Sequence, residues 1–464
     1  MRNRFWRRKP TADEQHDFAR GSIPGAILTL AIPMTAAQLV NLLYNVVDRM
    51  YIGRIPGVGR LALTGLGLCL PVISLLIGFA NLCGMGGAPL CSICRGRGEK
   101  EEAELLMGNS FALLLIFGSV LTAVCLLFRK PILLLFGASE VTFPYAVDYL
   151  TVYLLGTLFV MTGLGLNPFI NSQGFGRTGM LTVALGAVMN LVLDPLLIFG
   201  LHMGVRGAAL ATVISQACSA AWVLRFLTGR RAILRLRLSC MRLRWTRVRR
   251  ILGLGLAGFI MSLTNSLVQV VCNATLQYYG GDLYVGVMTV INSVREVISM
   301  PISGLTNAAH PVLGYNYGAG EYGRVRRGIL FTTAVTLCYS LLAWGLTMLV
   351  PSLLIRMFNS EAQLISAGIP AFRLYFAAFF MMAFQMAGQT AFVSLGRSRQ
   401  AVFFSLLRKA IIVAPLTVIL PPMGLGVSGV FLAEPISNTI GGLACFLTMF
   451  FTVYRPLGEI LSDT

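Results

Sequence analysis

The chain has 464 residues, 56% of them hydrophobic and only 12% charged, and its 37 Lys and Arg against 18 Asp and Glu leave a formal charge of +19. A soluble domain carries about 25% charged residues, so the composition excludes an ordinary soluble protein. It also argues against nucleic acid as the reason for the basic excess, because the Lys and Arg cluster in alternate inter-helix segments.

Residues 1–23 read as a basic, polar N-terminal tail, with Arg2, Arg4, Arg7, Arg8, Lys9 and Arg20, and no cleavable signal peptide is visible in it. A helix needs about 20 apolar residues to cross a bilayer. Such stretches are predicted at 24–52, 61–92, 104–128, 142–170, 178–201 and 205–228, an N-lobe covering 24–228. A basic linker, 229–249, follows. A C-lobe, 250–454, then holds spans at 250–279, 284–314, 326–350, 362–394, 399–420 and 427–454, and 455–464 is a short tail. The predicted fold is an all-α integral membrane protein of twelve transmembrane helices in two pseudo-symmetric six-helix lobes.

The two sets of six echo each other. Residues 204–215 return at 426–437 with seven of twelve positions identical, and Pro89, Gly96, Gly98 and Glu99 return 222 residues later as Pro311, Gly318, Gly320 and Glu321. Gly176, Arg177 and Pro195 return as Gly396, Arg397 and Pro415. Duplicated membrane halves are the build of secondary transporters, with substrate held between the halves. An even number of spans per half makes these repeats parallel.

On alternate connections, including the linker from Arg225 to Arg250, lie 26 of the 37 basic residues. The positive-inside rule therefore predicts cytoplasmic termini and a cytoplasmic linker, with attraction to anionic lipid as the linker's plain role. The ten cysteines read as packing, the Cys91-Ser92-Ile93-Cys94 spacing included. His16, His202 and His310 are isolated, so no metal site is expected. No phosphate-binding loop of the Gly-x-x-x-x-Gly-Lys type occurs, which argues against an ATP-driven pump. An enzyme would want a convergent nucleophile or metal cluster, and none is visible.

Ionisable residues at membrane depth are functional candidates by default. Asn190 and Asp194 lie four apart in span 5, so they share a face, and Pro195 removes a helix hydrogen bond beside the acid. The plainer alternative is an Asp-Pro turn at the outer interface. In span 1, Gln38, Asn41, Asn45 and Asp48 form a polar stripe that should face a cavity, unless Asp48 only pairs with Arg49 at the surface. At the repeat offset Asp194-Pro195 becomes Ala414-Pro415. The kink is duplicated and the acid is not, which places ion chemistry in the first half.

Asp48-Arg49-Met50-Tyr51-Ile52-Gly53, Asn190 through Pro195, Gly204 through Ala209 and Pro311 through Gly320 resemble the multidrug and toxic compound extrusion (MATE) family, in order and over nearly the whole chain. The resemblance implies a monomeric inner-membrane antiporter, not an enzyme. It would expel small amphipathic cations in exchange for protons or sodium, with no cofactor beyond the coupling ion. Carried over by position, the ion site would comprise Asp48, Asn190, Asp194, Thr212 and Tyr149. Another branch of the family places acids in spans 7 and 10, where this chain has Asn265, Asn273, Arg373 and Gln385. Arg295 and Glu296 in span 8, and Glu434 at the repeat position of Thr212, are candidates for the second-half cavity or for structural pairing with Arg373 or Arg408. A lipid-linked oligosaccharide flippase of the same superfamily is the second reading, kept open by Arg295, Arg373, Arg408 and Lys409.

Overall fold

A computed structural model describes residues 18–358 and 361–462. Arg2, Arg4, Arg7, Arg8, Lys9 and His16 lie outside the described residues. Span 1 is Ile23–Gly53, capped by the Ser22 side chain, which accepts from the Gly25 amide at 3.2 Å. Gly59–Gly96, Lys100–Leu127, Gly176–Gly200 and Gly204–Thr228 are spans 2, 3, 5 and 6. Span 4 is two helices, Phe143–Leu155 and Thr157–Ser172, bent by 58° at Gly156. Tyr322–Leu349, Ala362–Ser394, Ser398–Ile419 and Val427–Ile460 are spans 9 to 12.

Spans 7 and 8 form one helical run of 74 residues, Trp245–Gly318. At 1.5 Å per residue a straight helix of that length would reach about 110 Å, several bilayer thicknesses. The chain instead reverses at Gly281, with φ 67° and ψ −166°, a conformation essentially reserved for glycine. Twelve crossings result. The duplication extends to small features: short helices at Arg129–Leu135 and Pro351–Arg356 follow spans 3 and 9, and Gly98 and Gly320 carry φ of 78° and 77° after spans 2 and 8. Residues 455–462, read above as tail, continue the last helix.

Four apolar cores show how the lobes meet. One runs from Ile52 to Ala209 and belongs wholly to the first lobe, and one runs from Val268 to Ala433 and belongs wholly to the second. The other two are shared. Phe18, Ile23, Ile27 and Leu30 pack with Leu305, Val312 and Phe392, and Val248, Ile251 and Leu254 pack with Leu106 and Phe169. Both shared cores sit at the end that carries the basic linker. There the backbones touch: a Cβ on Gly86 would strike the Ile251 carbonyl, one on Gly96 the Tyr315 carbonyl, and one on Gly318 the Ile93 carbonyl. Small residues permit such close crossing of helices in a membrane. The lobes are thus joined at the linker end and parted at the other.

The linker is held by first-lobe side chains. Asn109 Nδ2 donates to the carbonyls of Cys240 (3.2 Å) and Arg242 (3.1 Å), and its Oδ1 accepts from the Arg244 amide (3.0 Å). Gln173 accepts from Leu234 N at 2.8 Å, Glu104 from Arg235 N at 3.0 Å, and Arg247 makes a forked pair with Glu102, the shortest contact 2.7 Å.

Candidate functional site

Two polar centres occupy corresponding places in the two lobes. In the first, span 1 delivers Asp48 and span 5 delivers Asp194 and Asn190, while span 6 adds Thr212 and span 4 adds Tyr149. All five are buried, Asp194 completely. The carboxyls of Asp48 and Asp194 lie within hydrogen-bonding reach of each other. Asn190 Nδ2 stands 3.4 Å from both Asp194 Oδ1 and Thr212 Oγ1, and Thr212 donates to the Ala208 carbonyl at 3.1 Å. Tyr149 stacks on Tyr153 at 6.1 Å, near Thr212.

Acceptors outnumber donors here. Asp48 Oδ1, Asp194 Oδ2 and Asn190 Oδ1 have no hydrogen-bond partner among the described residues. A buried carboxylate without a donor is costly. Two facing each other are worse, since unit charges about 4 Å apart repel by about 4 kcal/mol at an effective dielectric of about 20. A proton or a small hard cation, for which oxygen donors are the proper ligands, would relieve both. Helix geometry is irregular at this point: span 5 passes through Pro195 into a π-helical turn, Leu196–Gly200, a feature frequent at functional sites.

The second centre is inverted in charge. Glu434 accepts from Arg408 Nη2 at 2.9 Å and from Lys409 Nζ at 3.0 and 2.9 Å, and Arg295 Nη1 lies 3.9 Å away. Adjacent residues on an ordinary α-helix point about 100° apart. Arg408 and Lys409 nonetheless reach the same carboxylate through their long, flexible side chains; both sit in a π-helical stretch, Leu407–Val413, that precedes Pro415.

Between the parted lobes lies a cleft of about 850 Å³. Gln38, Asn41 and Asn45 of span 1 line it, with Arg49 and, across the gap, Asn265, Arg295, Glu296, Gln385, Gln389, Arg408 and Lys409. A cavity of about 430 Å³ runs from it into the first lobe, lined by Asn41, Tyr44, Asn81, Asn167, Asn171, Asn190 and Thr212, so the carboxylate pair is reached through amides.

The span 1 stripe therefore divides. Gln38, Asn41 and Asn45 face the cleft, whereas Asp48 turns into the lobe. Neither plainer alternative fits: Asp194 is fully buried rather than at an interfacial turn, and Arg49 is exposed to the cleft while Asp48 is not. Arg373 corrects the sequence reading. It is exposed while Phe372 and Phe376 beside it are buried, and it pairs with neither Glu434 nor Glu296; Glu434 takes Arg408, the other expected partner, together with Lys409 and Arg295. Tyr44, one turn before Asp48 and close to both carboxyls, was missed, as were Asn81, Asn167 and Asn171.

A family model described as MatE matches residues 33–196 and 258–419, one stretch in each lobe. The chain is 23% identical over 448 residues to the multidrug export protein MepA of Staphylococcus haemolyticus, covering 96% of each. It is 24% identical over 467 residues to the FAD transporter of Shewanella oneidensis, covering 97% of this chain and 99% of that one. The solved outward-facing conformation of a multidrug resistance MATE family transporter of the MOP superfamily superposes with a TM-score of 0.88 at 24% identity, covering 97% of this chain and all of the other. Its two-lobe, twelve-helix fold is the one described above.

Proposed function

This chain belongs to the MatE family, and we propose that it exports small amphipathic organic molecules by alternating access, driven by protons or sodium entering the Asp48–Asp194 site. The observation that carries the reading is the pair of facing buried carboxyls with three acceptor oxygens lacking a donor. Export is supported by one relative, a multidrug export protein, and transport of an organic molecule by another, an FAD transporter.

The residues divide the work. Asp48 and Asp194 take the ion, Asn190 orients Asp194 and is itself held near Thr212, and Tyr149 backs the site from the lobe interior while Tyr44 flanks it on the cavity side. The cleft, in which neither acid is a lining residue, takes the cargo. Ion and cargo then communicate through shape: filling the carboxylate site removes the repulsion between spans 1 and 5 and lets the first lobe repack around Pro195. The basic linker would lie in the cytoplasm and the cleft would open outward, in a plasma (inner) membrane. Labelling of an introduced Arg237→Cys from outside intact cells should fail, and efficient labelling would reverse that orientation.

The test of the transport reading is efflux from vesicles with pH and sodium gradients imposed separately. Wild type should respond to one gradient. Asp48→Asn and Asp194→Asn should insert at normal abundance and lose that response. A variant that keeps the wild-type rate and gradient dependence would remove its residue from the coupling site.

A further inference from the structure

The cleft wall carries a charge imbalance that ion coupling does not use. Arg49, Arg295, Arg408 and Lys409 line it against one lining acid, Glu296, with Glu434 just behind in an adjoining pocket. Four positive charges against two negative leave a net +2. One carboxylate cannot neutralise the three cations around it, and the side chains of Arg408 and Lys409 are both more than nine-tenths buried. Arg408 Nε has no hydrogen-bond partner among the described residues. Arg295 meets Glu434 at only 3.9 Å and is about a quarter exposed, which leaves most of its planar donor fork for the cleft.

The repeat sharpens the contrast. Arg408 and Lys409 stand where the first lobe has Val188 and Met189, and Ala414 stands where it has Asp194. The second lobe has thus exchanged an acid for an apolar residue and gained two cations at one depth. Uncompensated charge at membrane depth is expensive and marks a functional site. Guanidinium and ammonium groups together suit an oxyanion.

We propose that the cleft recognises an amphipathic organic anion, its carboxylate, phosphate or sulfonate on Arg295 with Lys409 behind, and its apolar body against Met300, Met382, Met386 and Phe404. This replaces the cationic cargo expected from the family resemblance. It rests on the cleft being the cargo route, and it concerns the sign of the cargo alone. An organic cation would approach a net positive wall and find Glu296 as the only lining acid among the described residues.

The test measures binding without any gradient, so its failure leaves gradient-driven export to be judged separately. Fluorescein and tetramethylrhodamine ethyl ester share a xanthene body and carry opposite charge. Fluorescence anisotropy with the purified full chain in neutral detergent should show fluorescein bound at least about tenfold more tightly, the worth of one or two charge-assisted hydrogen bonds. Arg295→Gln should weaken fluorescein about tenfold and leave the rhodamine unchanged or tighter, while Arg295→Lys restores most of the loss. Addition of phosphatidylglycerol then separates the sources: displacement of fluorescein marks a lipid headgroup, and no displacement marks a free organic anion. Tighter binding of the rhodamine, binding of neither dye, or equal loss of both in Arg295→Gln overturns the proposal.

Discussion

Gly96 and Gly318 offer the sharpest test of how the lobes move. Gly96 of span 2 rests on the Tyr315 carbonyl of span 8, and Gly318 of span 8 rests on the Ile93 carbonyl of span 2. Residues 93 and 315, and 96 and 318, are each 222 apart, so the contact is reciprocal about the pseudo-twofold axis. In both cases the obstacle to a Cβ is backbone rather than a side chain that can turn aside. A methyl inserted there should cost about 1–3 kcal/mol in the conformation closed at the linker end. Alanine's better helix propensity applies in either conformation and cancels. At about 2 kcal/mol, Gly318→Ala should move the equilibrium roughly thirtyfold toward opening at the linker end. Spin labels at Arg60→Cys and Asp282→Cys, both exposed at the far end, report the change in a chain whose native cysteines are replaced. Their separation by pulsed dipolar spectroscopy should shorten in Gly318→Ala and shorten further with Gly96→Ala added. An unchanged separation together with a lowered unfolding temperature would mean that the glycines serve packing and do not gate.

Two further outcomes follow from the polar contacts. Glu434→Gln leaves Arg408, Lys409 and Arg295 without their carboxylate and should destabilise the second lobe by about 3–5 kcal/mol, the usual cost of breaking a buried ion pair from one side; a thermal transition in detergent within error of wild type would show that the three cations find other partners. Asn109→Ala removes two donors and one acceptor from the linker, so trypsin should cut at Arg235, Arg237 or Arg242 several-fold faster than in wild type, and an unchanged cleavage rate would place the linker's attachment elsewhere.

The spans were legible because a bilayer leaves little choice. Every backbone group in hydrocarbon must be satisfied within its own helix, so each crossing shows as an apolar run, and the repeat at 222 residues pairs the runs. The 58° bend at Gly156 was not legible, since glycine is frequent in membrane helices and does not by itself mark a bend. Asp48, Asp194 and Asn190 stood out because charge and amide at membrane depth are rare. Tyr44 did not, although it lies one turn from Asp48, because tyrosine needs no excuse in a membrane helix. Of the partners of Glu434, Arg408 was legible in the sequence, whereas Lys409 and Arg295 were not. Adjacent residues point apart on a helix, so nothing in Leu407–Val413 announces that Lys409, beside Arg408, bends its flexible side chain to the same carboxylate. Arg373 erred in the opposite direction: a charge in an apolar span invites an interior partner, yet it lies on the exposed face of its helix.

The sign of the cargo fixes the energetics of the cycle. A monovalent organic cation leaving against one entering proton or sodium ion moves no net charge, so the membrane potential drops out and only the ion gradient works. A monovalent anion leaving while one cation enters moves two charges in the same electrical sense. With the interior negative, each contributes about 2.3 kcal/mol per 100 mV, or about 4.6 kcal/mol for the exchange. An anion exporter with a net +2 cleft and an acid pair reserved for the ion would therefore draw on the potential twice. That arrangement also explains why the two centres sit in different lobes: an anion bound at Arg295 and a proton or sodium ion at Asp194 would neutralise each other if they shared one cavity, and the exchange would lose its direction. The expected signature is efflux of an organic anion that accelerates when a potassium gradient with valinomycin makes the vesicle lumen that stands for the cytoplasm negative. Efflux that ignores the imposed potential, with the ion gradient held fixed, would reject anion–cation exchange and restore an electroneutral cycle.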